Sequence, residues 1–177
     1  SVQAIQLIKK QKSHIAYIRT PNDPESLKKQ GLNIVELANH PLQLLVAKTH
    51  PAARKQSIDL SELKDEKFIH YDQNQSPALY HLLERACLMA GFVPKTFCVG
   101  PEILTIANLV SSGLGITIIP KDMFQLLDSS KLAIVDLKHQ RLQSSISIIW
   151  RNSDYVPLIT QTILRLMNYG TPSVAIG

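Results

Sequence analysis

Long apolar runs, metal-ligand spacings and catalytic signatures are all missing from this chain of 177 residues. Its longest apolar stretches, residues 114–120 and 146–150, are the size of a strand, far short of the ~20 residues a membrane-spanning helix needs. Cysteine is scarce. Cys87 and Cys98 are the only two, which excludes a disulfide scaffold and fits buried thiols in a reducing compartment. The six histidines, His14, His40, His50, His70, His81 and His139, are dispersed. No His-x-x-x-His or Cys-x-x-Cys spacing gathers a metal site. There is no Gly-x-Ser-x-Gly elbow for a nucleophilic serine. Gly113-Leu114-Gly115 lacks the third glycine of a dinucleotide fingerprint and follows a helix, so it reads as a turn. No helix-turn-helix, zinc-finger or RNA-binding motif occurs. The first dozen residues mix apolar side chains with Lys9, Lys10 and Lys12, which is not a signal peptide and points to the cytoplasm.

What is present is ordinary for a globular chain: 45% hydrophobic residues and 19% charged ones. The formal net charge of +5 is spread along the chain with no interleaved aromatics, as expected of a solvated basic surface. Val2, Ile5 and Ile8 recur at helical spacing, giving a short helix that ends near Lys12-Ser13. Residues 15–18 form a compact strand, followed by Arg19-Thr20-Pro21-Asn22-Asp23-Pro24, dense in turn formers. Residues 34–37 and 42–46 read as two strands parted by Ala38-Asn39-His40-Pro41, with a polar linker after His50-Pro51. Ser61 or Asp59 is positioned to cap a short turn.

Residues 68–71 form a further strand. Ser76 and Pro77 then open a helix over residues 77–90, with Leu79, Leu83, Ala86, Cys87 and Ala90 as its buried stripe and Gly91 as its stop. A strand over 93–99 leads to a second helix beginning around Gly100-Pro101-Glu102 and ended by Gly113. Strands over 116–119, 132–137 and 146–150 follow, with a short helix over 121–127. Ser153 or Asp154 caps a last helix facing inward through Val156, Ile159, Ile163, Leu166 and Met167 and ending at Gly170. Alternating strands and helices imply α/β layers with largely parallel sheets.

One ordered series of landmarks carries more information than any single motif. Apolar residues 32–37 and 42–47 lead to Lys48-Thr49-His50-Pro51. Ile58-Asp59-Leu60-Ser61-Glu62-Leu63, Phe68-Ile69-His70-Tyr71 and Ala90-Gly91-Phe92-Val93-Pro94 follow. The series closes with Leu109-Val110-Ser111-Ser112-Gly113-Leu114-Gly115-Ile116-Thr117-Ile118-Ile119-Pro120. Over nearly its whole length the chain resembles the effector-binding domain of LysR-type transcriptional regulators. The resemblance implies two Rossmann-like α/β lobes joined by two crossover strands, like a type 2 periplasmic binding protein. Lobe I would comprise residues 1–43 plus 148–177 and lobe II residues 44–147. Two departures stand out. His14 occupies a position where the family's strand usually carries Asp, and lobe I would be incomplete at its N-terminus. The winged helix-turn-helix, the linker helix and the first strands of the family pattern would lie before this segment.

In such sheets ligands bind beyond the carboxyl ends of strands, near helix N-termini. Three places obey that rule and match family positions facing the interlobe cleft. They are Arg19, Thr20 and Pro21 after the first strand; His70, Tyr71 and Asp72 after the strand over 68–71; and Gly100, Pro101 and Glu102 at the start of the next helix. A helix N-terminus with an arginine suits a carboxylate or another small anion, while Glu102 fits a capping role better than a ligand role. The resemblance implies no cofactor and no metal, and a homodimer or homotetramer formed through the effector domains, with Leu82 and Leu88 as candidate contacts. DNA would be bound only by the preceding domain, and RNA polymerase by the full-length protein. No membrane and no catalysis are implied. Two rival functions share the fold: a transport-associated solute-binding protein, and a small enzyme that would need Asp72 and Glu102 to converge as an acid/base pair.

Overall fold

The computed structural model describes residues 2–153 and 155–167. The chain divides into two compact units: Ser1–Ala38 with Ile146–Gly177, and Asn39–Ser145. Two long strands, β2 (Leu32–Ala47) and β8 (Gln143–Arg151), carry the chain from one unit to the other.

The first unit is a thin sheet with helices on both faces. Helix α1 (Val2–Lys9) buries Ile8 and is stopped at Gln11, which takes a left-handed φ of 58°. Strand β1 (Ile15–Arg19) pairs antiparallel with β8, from Ile15 opposite Trp150 to Arg19 opposite Ile146. Side chains alternate across a strand, and the packing follows that rule. Ile149 joins Ile8, Ile18 and Leu27 on one face, while Ile148 and Trp150 join Val156 and Leu164 on the other. Helix α2 (Pro24–Lys29) lies where the sequence reading expects only a turn. Its signals are nonetheless in the sequence. Asp23 caps it by accepting from the Ser26 N–H, Pro24 takes the first position, Glu25 sits in the first turn and Lys28 and Lys29 in the last.

Helix α5 (Leu158–Leu166) starts after Pro157, with no side-chain cap. Ser153, expected to cap it, donates instead to the Tyr155 carbonyl at 2.5 Å. Asp154 and Gly170 lie outside the described residues. Of the inner face expected for it, Val156 is buried and Ile163 and Met167 half-buried, but Thr160 and Leu164 are the buried helical residues, whereas Ile159 and Leu166 are exposed.

The second unit holds the larger core. Its part of β2 pairs antiparallel with β6 (Thr117–Pro120) and with β7 (Leu132–Lys138). Short β3 (Ser57–Asp59) pairs parallel with β7, and β4 (Lys67–Tyr71) pairs parallel with β5 (Lys95–Gly100). The sheets are therefore mixed, not largely parallel, because β2 meets strands that return along it in the opposite direction. β2 is also one strand where two were expected. Proline fixes a φ compatible with an extended chain and removes only a donor. Pro41 sits just before the registers with β6 and β7, which begin at Leu42 and Gln43.

Residues expected as a linker after His50 form a 3-10 turn, Pro51–Arg54, whose N-cap is the His50 ring. A second such turn, Leu60–Leu63, is capped by Asp59 in a reciprocal box with Glu62, and Lys121–Leu126 is a third. Helix α3 (Pro77–Met89) buries Leu79, Leu82, Leu83, Ala86 and Cys87. Leu82 is thus core, against the expectation that it faces outward, while Ala90 is only half-buried. Helix α4 (Ile103–Ser111) ends at Gly113, whose φ of 77° is the left-handed stop expected there. Of the two thiols, Cys87 is fully buried and Cys98 half-buried. Burial, and secondarily the nearby Glu84 charge, push the Cys87 thiol up to about 12, which keeps it protonated and unreactive.

Candidate functional site

In the first unit, β1 delivers Arg19, Thr20 and Pro21 together at its carboxyl end, all half-buried. The Thr20 and Ser147 hydroxyls lie 2.6 Å apart. Ser147 is fully buried on β8, so this bond ties the loop after β1 to the neighbouring strand. The sequence reading missed Ser147. Its only signal is a small polar residue inside an otherwise apolar strand.

In the second unit, the carboxyl ends of β4 and β5 converge. Tyr71 stands opposite Gly100, the Asp72 N–H donates to the Gly100 carbonyl at 2.9 Å, and the Ser76 hydroxyl donates to the Pro101 carbonyl at 3.1 Å. Asp72, Gly100, Pro101 and Glu102 are thereby brought to one end of the strands, beside the starts of α3 and α4. Gly100 has a steric reason to be glycine, since a Cβ there would lie 2.5 Å from Ile106 Cγ1.

His70 and Tyr71, expected as ligand residues, are buried on β4, which is covered on both faces. The His70 ring is bonded at both nitrogens: Nε2 meets Glu84 Oε1 at 2.8 Å and Nδ1 accepts the Tyr71 N–H at 2.8 Å. It also lies against the Tyr80 ring, 4.4 Å between centroids. Tyr71 donates its hydroxyl to the Ile118 carbonyl at 2.9 Å. Both side chains hold the fold together.

The two carboxylates are likewise committed to backbone. Asp72 accepts from the Asn74 and Gln75 N–H groups at 2.9 Å each, shaping the turn into α3. Glu102 is the N-cap of α4, accepting from the Leu104 and Thr105 N–H groups. Pro101 therefore precedes α4 and does not open it, since Glu102 itself is extended. The Thr105 hydroxyl and then these amides hold the Glu102 carboxyl below its usual range. An acid/base pair is not what this arrangement builds. By contrast, α3 has no side-chain cap, because the Ser76 hydroxyl is turned to Pro101. Its first-turn N–H groups have no acceptor within the helix.

The Glu102 cap gives a measurable consequence. Glu102→Ala is expected to cost about 1 kcal/mol at neutral pH, the usual value of an N-cap. A carboxyl whose pKa is lower folded than unfolded stabilises fully above its unfolded value and loses that contribution as pH falls through the folded one. Urea unfolding of both proteins should therefore show a gap at pH 7 that narrows well below roughly pH 4.3, the unfolded glutamate value.

The chain matches the family model of the LysR substrate binding domain over residues 1–169. It is 30% identical over 142 residues to the HTH-type transcriptional regulator AlsR of Bacillus subtilis (strain 168), an alignment covering 77% of this chain and 45% of that protein. It thus spans less than half of this relative's length. The effector-binding domain of QuiR in complex with shikimate superposes with a TM-score of 0.77 at 20% identity, covering 93% of this chain and 75% of that one. The BenM effector-binding domain with its effector benzoate gives 0.68 at 20% identity, covering 98% and 79%. The chain belongs to the LysR substrate-binding domain family, and its mixed α/β fold is that of the solved effector-binding domains of LysR regulators. The relatives it matches bear the names of transcriptional regulators. Among the described residues, no helix is long and apolar enough to cross a membrane.

Proposed function

We propose that this domain binds a small carboxylate and, through it, tunes the DNA binding of a longer cytoplasmic regulator. The observation that carries the reading is the contrast between two neighbouring helix starts. The N-terminus of α4 is capped by the chain's own carboxylate, Glu102, whereas α3 has no side-chain cap, the nearby Asp72 carboxylate being held by the Asn74 and Gln75 N–H groups. Free first-turn amides attract an anion. Taken by itself, the first unit also offers an anion a cation and a hydroxyl, from Arg19 and Thr20 at the carboxyl end of β1. The effectors named for the two structural neighbours, shikimate and benzoate, are carboxylates.

Such an effector acts by preferring one conformation, and it shifts the population by no more than that preference. DNA contact and any contact with RNA polymerase belong, on this reading, to other parts of the parent protein. Pairing with a second copy, as a homodimer or homotetramer, would use the outer side of α3, where Leu88 and Met89 are exposed.

The test is a calorimetric panel of small carboxylates that includes shikimate and benzoate. Arg19→Gln removes a charged hydrogen-bond donor and is expected to weaken an acid held by the first unit 10-fold or more, since such bonds are worth about 1.5–3 kcal/mol. Ser76→Asp places a carboxylate on α3, a better cap that leaves the melting temperature near its original value while abolishing any binding at that helix start. A panel without a binder, or a binder indifferent to both substitutions, would sink the reading.

A further inference from the structure

The opposite end of the first unit's sheet has a hollow that the effector reading does not use. Arg19 faces Ile146 at one end of the β1–β8 pair and Ile15 faces Trp150 at the other, so the two ends lie roughly 13 Å apart at ~3.3 Å per residue. The hollow at the Ile15 end is about 240 Å3, with Ile8, His14, Trp150, Arg151, Tyr155 and Pro157 among its walls. Trp150 is only 5% exposed, yet its indole Nε1 has no hydrogen-bond partner. Buried donors are almost always paired. An indole N–H can only donate, so whatever satisfies it must bring an acceptor. Arg151 beside it is exposed, with no ion pair to an acidic side chain among the described residues. Ile8, Pro157 and the two aromatic rings supply apolar walls.

We propose that this hollow is a second binding site, taking a small carboxylic acid with an apolar body. The carboxylate accepts the Trp150 N–H and is neutralised by Arg151, while the hydrocarbon part lies against Ile8 and Pro157. The site stands apart from Arg19 and Thr20, so it does not rest on the effector reading above.

Trp150 is the only tryptophan in the chain, so its emission reports on the site directly. Titrating the whole chain with hexanoate and with benzoate should produce a saturable change in tryptophan emission for at least one of the two. Hexan-1-ol, with the apolar body and no charge, should produce none. Arg151→Gln is expected to raise the dissociation constant at least tenfold. Trp150→Phe keeps the packing but removes the N–H, and is expected to weaken binding measured by calorimetry. In an Arg19→Gln background the emission change should persist, which separates failure here from failure of the effector site. Flat emission with both acids, equal affinity in Arg151→Gln, or disappearance of the signal with Arg19→Gln would each overturn the proposal.

Discussion

Gly115→Ala should cost the second unit about 3 kcal/mol, the upper part of the range for forced overpacking and a large share of a domain's usual 5–15 kcal/mol. The cause is local. An added Cβ would lie 2.5 Å from the Lys67 carbonyl oxygen and 2.9 Å from Ile69 Cδ1. That oxygen cannot retreat freely, because it accepts the Ile116 N–H at 2.9 Å while the Ile69 N–H donates to the Ile116 carbonyl at 2.8 Å. Relief therefore means prying β4 from the segment entering β6. Gly113, two positions earlier, is the informative control. A Cβ there meets nothing within 4 Å, and only its φ of 77° resists substitution, so Gly113→Ala should cost about 1 kcal/mol. Urea midpoints decide the matter; equal losses at the two positions would refute the steric argument.

Phe68→Ala is expected to be larger still, about 4 kcal/mol by the usual cost of emptying a buried aromatic position. Phe68 has no exposed surface and its ring lies 6.0 Å from that of Phe92. It sits on a strand covered on both faces, so the space it leaves has no route to solvent. Phe97 lies on the adjacent strand β5 and is half exposed. Its visible partner is the Lys67 ammonium, 4.8 Å from the ring centroid, an exposed cation–π contact worth roughly 0.5–1 kcal/mol. Phe97→Ala should therefore cost under about 1 kcal/mol, and denaturation curves showing the two phenylalanines to be equivalent would contradict the assigned core.

Where the pattern in the sequence was periodic, it was legible. The stripe of α3, the stops at Gly91 and Gly113 and the strand ending at Pro120 all follow from spacing and from residues with restricted or special backbone. Elements set by tertiary contact were not. Nothing local says that the extended chain continues through Pro41, because proline within a strand is normally evidence against one. Strand β4 shows the limit for the site. An apolar run buried on both faces has no alternation to reveal which side chain faces where, so His70 and Tyr71 looked available although Glu84 and the Ile118 carbonyl hold them inside. The same holds for Ser76. Its type and place before Pro77 fit an N-cap, but a carbonyl distant in sequence, that of Pro101, outcompetes the helix for its hydroxyl. Glu102 was readable as a cap because its acceptor role is satisfied within three residues.

The outermost strand of the larger sheet, β3, is only three residues long and passes at once into the Asp59-capped turn. A border so brief offers a neighbouring chain almost no row of free amides on which to extend. Growth of the sheet by strand addition from another molecule is disfavoured at that side.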